Sequence, residues 1–210
     1  MFNVKPNFKL EKTKLASGFS FVVGCDEVGR GSLAGPVVAA AVVLDPKQTY
    51  KLKEVRDSKQ ISAEKRFSLE RVIKQYSLGF GIGVVSHEVI DQINIHKATL
   101  LAMKQAVESL EAKLKVSMKQ TFIYIDGKFI IPELSYEQQA VVGGDNKILS
   151  VAAASILAKT FRDRLMVKLH DKHPAYNFAQ HKGYGTLQHR TAVKRFGVSA
   201  VHRLSFCSNI

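Results

Sequence analysis

The apolar stretch from Ala34 to Leu44 is the feature that most constrains the fold of this chain. Residues 36–44 read Pro-Val-Val-Ala-Ala-Ala-Val-Val-Leu, so a strand built from them is apolar on both faces. Such continuous runs are typical of central strands that helices cover on both sides of a sheet. The stretch is too short to span a bilayer, so we expect no membrane partner. The sequence therefore predicts an α/β protein.

Other segments predict the elements around this central strand. Apolar or alternating residues predict four more strands, at 21–26, 78–85, 121–126 and 136–142. Apolar residues on one stripe predict helices at 61–76 and 94–115. Small residues in the first turns accompany a predicted helix at 147–172, and a last helix is expected at 186–196. Residues 1–19 carry no such pattern and are expected to be an irregular lead-in. This order of elements predicts a mixed sheet with helices packed against it.

The charge of the chain points to a polyanionic partner. The sequence has 31 Lys and Arg against 18 Asp and Glu, a formal net charge of +13. This balance favours nucleic acid or an anionic membrane surface, although a merely basic enzyme remains an alternative. The chain has two cysteines and no pattern of a disulfide framework or zinc site, and no targeting segment is recognisable. We therefore expect a reducing, cytoplasmic setting.

Basic residues are concentrated in the last third of the chain. Ten Lys and Arg lie between residues 159 and 204, together with five of the seven histidines. Tyr176, Phe178 and Tyr184 are interleaved among them. Aromatic rings within a basic surface hold nucleic-acid strands by stacking and charge, so we interpret this region as a strand-binding surface. The alternative is a solvated helix face.

Acidic residues stand where apolar segments give way to glycine. Asp26 and Glu27 end the first predicted strand, Asp126 ends the fourth, and Asp145 follows Gly143-Gly144. If strands one and four are neighbours, their carboxylates meet at one edge of the sheet. Converging carboxylates repel one another unless a cation joins them, and oxygen ligands favour Mg²⁺ or Mn²⁺. Two such ions commonly serve displacement at phosphate, but each acid alone could equally be a turn residue.

Two glycine-rich loops add candidate contacts to a ligand. Gly29-Arg30-Gly31 follows the first two acids, and its backbone N–H groups could cradle a phosphate or a hydroxyl. Arg30 could pair with phosphate, while an ordinary tight turn remains the alternative. Tyr184 lies between two glycines in the segment 181–186, which favours a contact role over packing in the core.

Several of these segments together resemble one family. They occur in the order expected of bacterial ribonuclease HII, the type 2 ribonuclease H, from about Val22 to about Phe206. The matching motifs are Gly24-Cys-Asp-Glu-Val-Gly-Arg-Gly31, Asp57-Ser-Lys59, Ile125-Asp-Gly127, Gly144-Asp145, Ala152-Ala-Ala-Ser-Ile-Leu-Ala-Lys159, Arg162-Asp163, His181-Lys-Gly-Tyr-Gly-Thr186 and His202-Arg203. Only about twenty residues precede the first predicted strand, so we expect type HII and not the related ribonuclease HIII, which carries an extra N-terminal domain.

The resemblance implies a fold and a set of site residues. The fold would be RNase H-like, with a five-stranded mixed sheet flanked by helices and a helical C-terminal part. Residues 20–210 would form the catalytic domain, in which the part from about residue 160 binds substrate. The catalytic and metal-binding residues would be Asp26, Glu27, Asp126 and Asp145, holding two Mg²⁺ or Mn²⁺ ions. Nucleic-acid contacts would come from Gly29, Arg30, Gly31, Ser58, Lys59, Lys182 and Tyr184.

The resemblance also implies a reaction. The backbone of Gly29–Gly31 would sense the 2′-hydroxyl of a ribonucleotide, and Tyr184 would stack on the sugar of the following deoxynucleotide. The enzyme would hydrolyse the phosphodiester 5′ to a ribonucleotide, in RNA–DNA hybrids or within duplex DNA, leaving 3′-hydroxyl and 5′-phosphate ends. We expect a cytoplasmic monomer. The alternatives are a binding module without catalysis and a two-metal nuclease of different specificity.

Overall fold

The computed structural model describes residues 5–58, 61–114, 120–208 and 210. Within these residues, one sheet of five strands has the order β3-β2-β1-β4-β5. The strands are β1 (Phe21–Val28), β2 (Val37–Leu44), β3 (Ser77–Val85), β4 (Thr121–Asp126) and β5 (Glu137–Val141). β2 is antiparallel to both β1 and β3, whereas β4 is parallel to both β1 and β5. The prediction of a mixed, five-stranded sheet is confirmed.

The centre of the sheet is apolar on both faces, as predicted from the run of small and β-branched residues. Every residue of β2 is buried. One face packs against helix α4 (Ile95–Leu114) and the other against helix α5 (Leu149–Lys172). α4 lies very close to β3, because a Cβ on Gly83 would stand 1.9 Å from the carbonyl oxygen of Ala102. The glycines of β3 are therefore required by close backbone approach.

The remaining helices are shorter. They are α1 (Lys9–Ala16), α2 (Ala63–Tyr76), α3 (His87–Ile93), α6 (Phe178–His181), α7 (Leu187–Phe196) and α8 (Leu204–Cys207). The four predicted helices correspond to α2, α4, α5 and α7, although the predicted end of the second, Lys115, lies outside the described residues. α3, α6 and α8 were not predicted, because four to seven residues are too few to display a helical period. In the described part of the chain, no helix has the length and hydropathy needed to cross a membrane.

The expectation of an irregular lead-in is wrong for residues 9–16, which form α1. The side-chain oxygen of Asn7 accepts a 3.0 Å hydrogen bond from the N–H of Lys9 at the start of this helix. Phe8 and Leu15 pack against the core, and Glu11 is completely buried. The helix was missed because its stability comes from these tertiary contacts and not from an amphipathic pattern.

The interpretation of the last third as a continuous basic surface is also wrong in part. Arg162 and Arg203 are completely buried, and His181, His189 and His202 are buried with 8% exposure or less. Tyr176 and Phe178 belong to a small core with Ala34 and Met166, where α5 packs against α6 and residues of α7 complete the cluster. Buried charges need hydrogen-bonding partners. Arg162 and Arg203 obtain theirs from backbone carbonyls in and beside the glycine-rich loops.

Candidate active site

Three acidic side chains converge at one end of the sheet. β1 and β4 are parallel neighbours with Cys25 opposite Ile125, so Asp26 and Asp126 follow at the same edge. Asp145 lies in a 3₁₀ turn (Gly144–Asn146) that precedes α5. One carboxylate oxygen from each of the three lies within 4.8 Å of the others. We call Asp26, Asp126 and Asp145 the acidic triad.

Hydrogen bonds hold the triad in place. An oxygen of Asp126 accepts a 2.7 Å bond from the N–H of Gly144, which ties the end of β4 to the turn that carries Asp145. An oxygen of Asp26 accepts a 2.7 Å bond from the N–H of Glu27, and the Ser155 hydroxyl of α5 also interacts with this carboxylate. The three carboxylates are therefore fixed relative to one another by backbone and helix contacts.

The electrostatics of the triad suit a cation. Asp26 and Asp145 are each only 4% exposed. Burial, with the charges of Glu27 and Asp126, raises the pKa of Asp26 well above its ordinary value. A divalent ion with a preference for oxygen ligands would relieve this repulsion, and the donor set of the triad consists of carboxylate oxygens alone. The residues present thus fit the ions that the family resemblance implies.

The fourth predicted acid, Glu27, lies at the same strand end but outside the triad. Its carboxylate accepts a 3.3 Å hydrogen bond from the guanidinium of Arg30, which is itself half exposed. Burial raises the pKa of Glu27, and the positive charge of Arg30 opposes this shift. Glu27 thereby links the acidic triad to the Gly29–Gly31 loop.

Arg203 stabilises the Gly29–Gly31 loop by hydrogen bonds to its backbone carbonyls. Its guanidinium donates hydrogen bonds of 2.9 Å to the carbonyl of Arg30, 2.8 Å to that of Gly29 and 3.0 Å to that of Gly35. Gly29 has a φ of 94°, in the region that favours glycine. Within the described part of the chain, nothing lies within 4 Å of where a Cβ on Gly31 would stand, so the loop is open at Gly31.

Arg162 joins this loop to the segment that carries Tyr184. It donates hydrogen bonds of 2.9 Å to the carbonyl of Pro36, 2.9 Å to that of Lys182 and 3.2 Å to that of Ala34. Its guanidinium carbon also lies 5.5 Å from the centre of the Tyr184 ring. Ser32 and Tyr184 form a β-bridge as well, so the two glycine-rich loops make one structural unit.

A chain of buried histidines supports Tyr184 from the other side. The N–H of Ser199 donates to Nδ1 of His202, so Nε2 of His202 carries the proton and donates to Nε2 of His189 over 3.0 Å. Nδ1 of His189 then donates to the carbonyl of Tyr184, also over 3.0 Å. This direction of donation requires both rings to be neutral. Burial lowers the pKa of His189 and lowers that of His202 to about 4.

The predicted phosphate contacts differ in their surroundings. Ser58 is 4% exposed, and its hydroxyl lies within hydrogen-bond distance, 3.0 Å, of the hydroxyl of Ser155, the residue that also interacts with Asp26. Lys59 lies outside the described residues. Lys182 is half-buried beside Lys159 and Asp163 in a cleft between α2 and α5, where burial lowers its pKa.

Comparison with known proteins agrees with this geometry. The family model described as Ribonuclease HII matches residues 23–209. The chain belongs to the ribonuclease HII family. It is 45% identical over 204 residues to a ribonuclease HII of Caldicellulosiruptor bescii, covering 97% of this chain and 94% of that protein. It is 46% identical over 196 residues to a ribonuclease HII of Syntrophus aciditrophicus, covering 93% and 88%.

Solved structures agree with the family assignment. The crystal structure of ribonuclease H2 from Pyrococcus horikoshii matches with a TM-score of 0.73 at 27% identity, covering 90% of this chain and 95% of that one. The chain is therefore a metal-dependent ribonuclease H, an endonuclease that hydrolyses phosphodiesters in RNA–DNA hybrids. The predicted RNase H-like fold is confirmed.

Sequence reasoning missed several residues that shape the site. Ser155 was noted only as a member of a motif, Arg162 and Arg203 only in motifs and as part of the basic surface, and Glu11 was not noted at all. The usable signal was a basic or acidic residue inside an otherwise apolar or small-residue segment, as at Arg162 in α5. Such a residue needs a buried partner, but its partner cannot be identified before the fold is known.

Proposed function

We propose that this ribonuclease HII cleaves the phosphodiester 5′ to a ribonucleotide, both in RNA–DNA hybrids and at single ribonucleotides within duplex DNA. The products carry 3′-hydroxyl and 5′-phosphate ends. The observation that carries the proposal is the position of the acidic triad directly beside the Gly29–Gly31 loop, with Glu27 and Arg30 joining the two. A loop that can test for a 2′-hydroxyl therefore adjoins the carboxylates that would serve hydrolysis.

Asp26, Glu27, Asp126 and Asp145 are the residues that would hold two divalent ions, Mg²⁺ or Mn²⁺. When bound, such ions activate water and stabilise the leaving oxygen in displacement at phosphate. The chain itself contributes a rigid set of carboxylates. The Gly144 N–H restrains Asp126, the Asn146 side chain restrains Asp145 through a 2.8 Å hydrogen bond, and Ser155 restrains Asp26.

Recognition of the ribonucleotide belongs to the two joined loops. The backbone at Gly29–Gly31 senses the 2′-hydroxyl, because Gly31 leaves the space there open and Arg203 occupies the carbonyls behind it. Tyr184 stacks on the sugar of the next deoxynucleotide. Arg30 and Lys182 contact phosphates, and we propose the same for Ser58 and Lys59.

The wider assignment follows from the same arrangement. Residues 20–210 act as the catalytic domain, with the part from about residue 160 contributing the substrate-binding loop that carries Tyr184. We propose that the enzyme works as a monomer in the cytoplasm, where chromosomal DNA of a bacterial cell is found. The net charge of +13 favours the phosphate backbone as its partner.

The test is cleavage of a DNA duplex with one embedded ribonucleotide, with Mg²⁺ or Mn²⁺, beside an all-DNA duplex and a hybrid with an RNA tract. We expect one cut 5′ to the single ribonucleotide and an intact all-DNA control. Cleavage of the all-DNA duplex would indicate a nuclease of different specificity. Tight binding without cleavage under either metal would indicate a binding module instead.

A further inference from the structure

The N-terminal segment crosses the start of α5, immediately after the turn that carries Asp145. Asn7 pairs with this region on both sides of Ile148. Its N–H donates a 3.3 Å hydrogen bond to the carbonyl of Lys147, and its carbonyl accepts a 3.2 Å bond from the N–H of Leu149. The first peptide groups of the helix are therefore held by a part of the chain that is more than a hundred residues away in sequence.

Glu11 adds a further hydrogen bond to α5, one residue beyond the Leu149 N–H that Asn7 binds. Its carboxylate accepts a 2.9 Å hydrogen bond from the N–H of Ser150, within the first turn of α5. The residue before α5 is Ile148, which has no side-chain oxygen to accept a bond from that turn. Glu11 thus supplies from α1 the acceptor that an N-terminal cap usually provides, at the end of the helix dipole that favours a carboxylate. Burial raises the pKa of Glu11, and the hydrogen bond from the Ser150 N–H opposes this shift. Glu11 is 0% exposed, so this hydrogen bond is shielded from water.

The peptide that Glu11 binds also touches the strand that carries Asp26. A Cβ on Gly24 would stand 2.1 Å from the carbonyl carbon of Ser150, so β1 and the start of α5 are in direct backbone contact. Gly24 is two residues before Asp26 and therefore on the same face of β1. A shift of the first turn of α5 would therefore displace β1 and, with it, Asp26.

The same turn is connected to the other two members of the acidic triad. The N–H of Ile148 donates a 2.8 Å hydrogen bond to the carbonyl of Gly144, and this bond closes the turn that contains Asp145. The N–H of Gly144 in turn binds the Asp126 carboxylate. The relative positions of all three carboxylates therefore depend on where α5 begins.

We propose that Glu11 is a positioning residue for divalent-metal binding, acting through the first turn of α5 on the separation of Asp145 from Asp26. Glu11 does not contact the metal in this scheme. This inference rests on the proposed role of the triad in metal binding, and it assigns a function to the helix α1 that precedes the sheet.

If Glu11 served only the stability of the fold, its replacement would lower the melting temperature without changing the affinity for a divalent metal. A measurement of metal affinity therefore distinguishes a positioning role from a purely structural one. The probe is Mn²⁺ alone, titrated into the full-length protein without nucleic acid and followed by the electron paramagnetic resonance signal of free Mn²⁺. The main variant is Glu11→Met, which removes the acceptor but nearly preserves the buried volume. Glu11→Gln keeps an oxygen that can accept the Ser150 bond.

The matched control is Glu70→Met. Glu70 lies on α2, and its carboxylate accepts hydrogen bonds from Arg164 and Lys74 and, within the described residues, from no residue of the triad. Its loss removes two ion pairs and should lower the melting temperature without moving Mn²⁺ affinity. Melting temperature and far-UV circular dichroism are recorded for every variant, so that affinities are compared only between folded proteins.

We expect Glu11→Met to weaken Mn²⁺ binding by about 10- to 100-fold, the range typical for loss of a residue that orients metal ligands. Glu11→Gln should lie closer to wild type, and excess Mn²⁺ should restore much of the cleavage rate of Glu11→Met. If Glu11→Met fails to fold, the test passes to Glu11→Gln, with hydrogen exchange of the Ser150 amide as a second measurement. The proposal would be overturned if folded Glu11→Gln no longer protects this amide from exchange and still binds Mn²⁺ with wild-type affinity.

Two further outcomes count against it. Wild-type Mn²⁺ affinity in a folded Glu11→Met protein would overturn the role of Glu11 and leave the metal site intact. If the wild-type protein itself does not bind Mn²⁺, both this proposal and the proposed metal role of the triad are overturned. Cleavage of the ribonucleotide substrate, measured separately, distinguishes that case from failure of the proposed specificity.

Discussion

The buried histidine chain predicts a loss of stability in mild acid, with a size that follows from the structure. His202 is 2% exposed, and Nδ1 accepts a hydrogen bond from the N–H of Ser199 while Nε2 donates to His189. If His202 gained a second proton, at Nδ1, that N–H would face the N–H of Ser199, so two donors would oppose each other. Burial first, and then the electrostatic repulsion that a charged His202 would meet from His189, lower the pKa of His202 to about 4 in the folded protein.

The sign and the magnitude follow from linkage between protonation and folding. In the unfolded chain a histidine binds its proton near pH 6.5, so below that value the unfolded state takes up a proton that folded His202 refuses until about pH 4. The contribution is fully present above pH 6.5 and is lost as the pH falls toward 4. Each pH unit in this window costs about 1.4 kcal/mol, which gives about 2 kcal/mol by pH 5.0.

The assay is urea unfolding at pH 7.5 and pH 5.0 for the wild type and for His202→Ala. The variant should be less stable at both values, because it leaves a cavity and removes the three hydrogen bonds of the His202 ring. Its free energy of unfolding should nevertheless fall by about 2 kcal/mol less than that of the wild type between the two pH values. Parallel losses in the two proteins would refute the reasoning, as would an NMR titration midpoint of His202 near 6.5 in the folded state.

Three shorter predictions concern the site and the sheet. Asp126→Asn should reduce cleavage by more than about 100-fold while substrate binding in a gel-shift assay is retained, because it removes a charged oxygen from the triad; near-normal rates would exclude a catalytic role. Tyr184→Ala should cost about 1–3 kcal/mol in kcat/KM on a duplex with one ribonucleotide, the usual contribution of a stacking contact. Gly83→Ala should lower the free energy of unfolding by about 1–3 kcal/mol or more, because its Cβ would lie 1.9 Å from the Ala102 oxygen; an unchanged urea midpoint would contradict that packing.

The parts of the fold that the sequence predicted are those with a strong local pattern. β2 could be recognised because every position is apolar, and its burial at every position agrees. The long helices α4 and α5 could be recognised by spacing or by small residues, and β4 as a short, largely apolar segment that ends in Asp126. Convergence of the carboxylates needed one further assumption, that β1 and β4 are neighbours, which the parallel pairing bears out.

The parts that could not be predicted depend on contacts between distant segments. α1 has little amphipathic character, and its buried Glu11 gains a partner only because α5 begins beside it. Arg162 and Arg203 were assigned to a basic surface by their charge, yet both are buried with carbonyl partners far away in sequence. A charged residue reads as exposed from sequence alone, since burial of a charge becomes favourable only when its partners are in place.

The two buried arginines stabilise the loops for which we propose ribonucleotide recognition, and the acidic triad is held by other contacts. Each guanidinium donates to three backbone carbonyls, and burial lowers the pKa of Arg203 to about 9, so these charges are held at a cost in solvation. Their planar forks fix the loops of Gly29 and of Lys182 relative to each other, which a flexible lysine would do poorly. The carboxylates of the acidic triad are instead fixed through α5 and Gly144. Loss of either arginine should therefore impair discrimination of the ribonucleotide, whereas loss of Glu11 should impair metal binding.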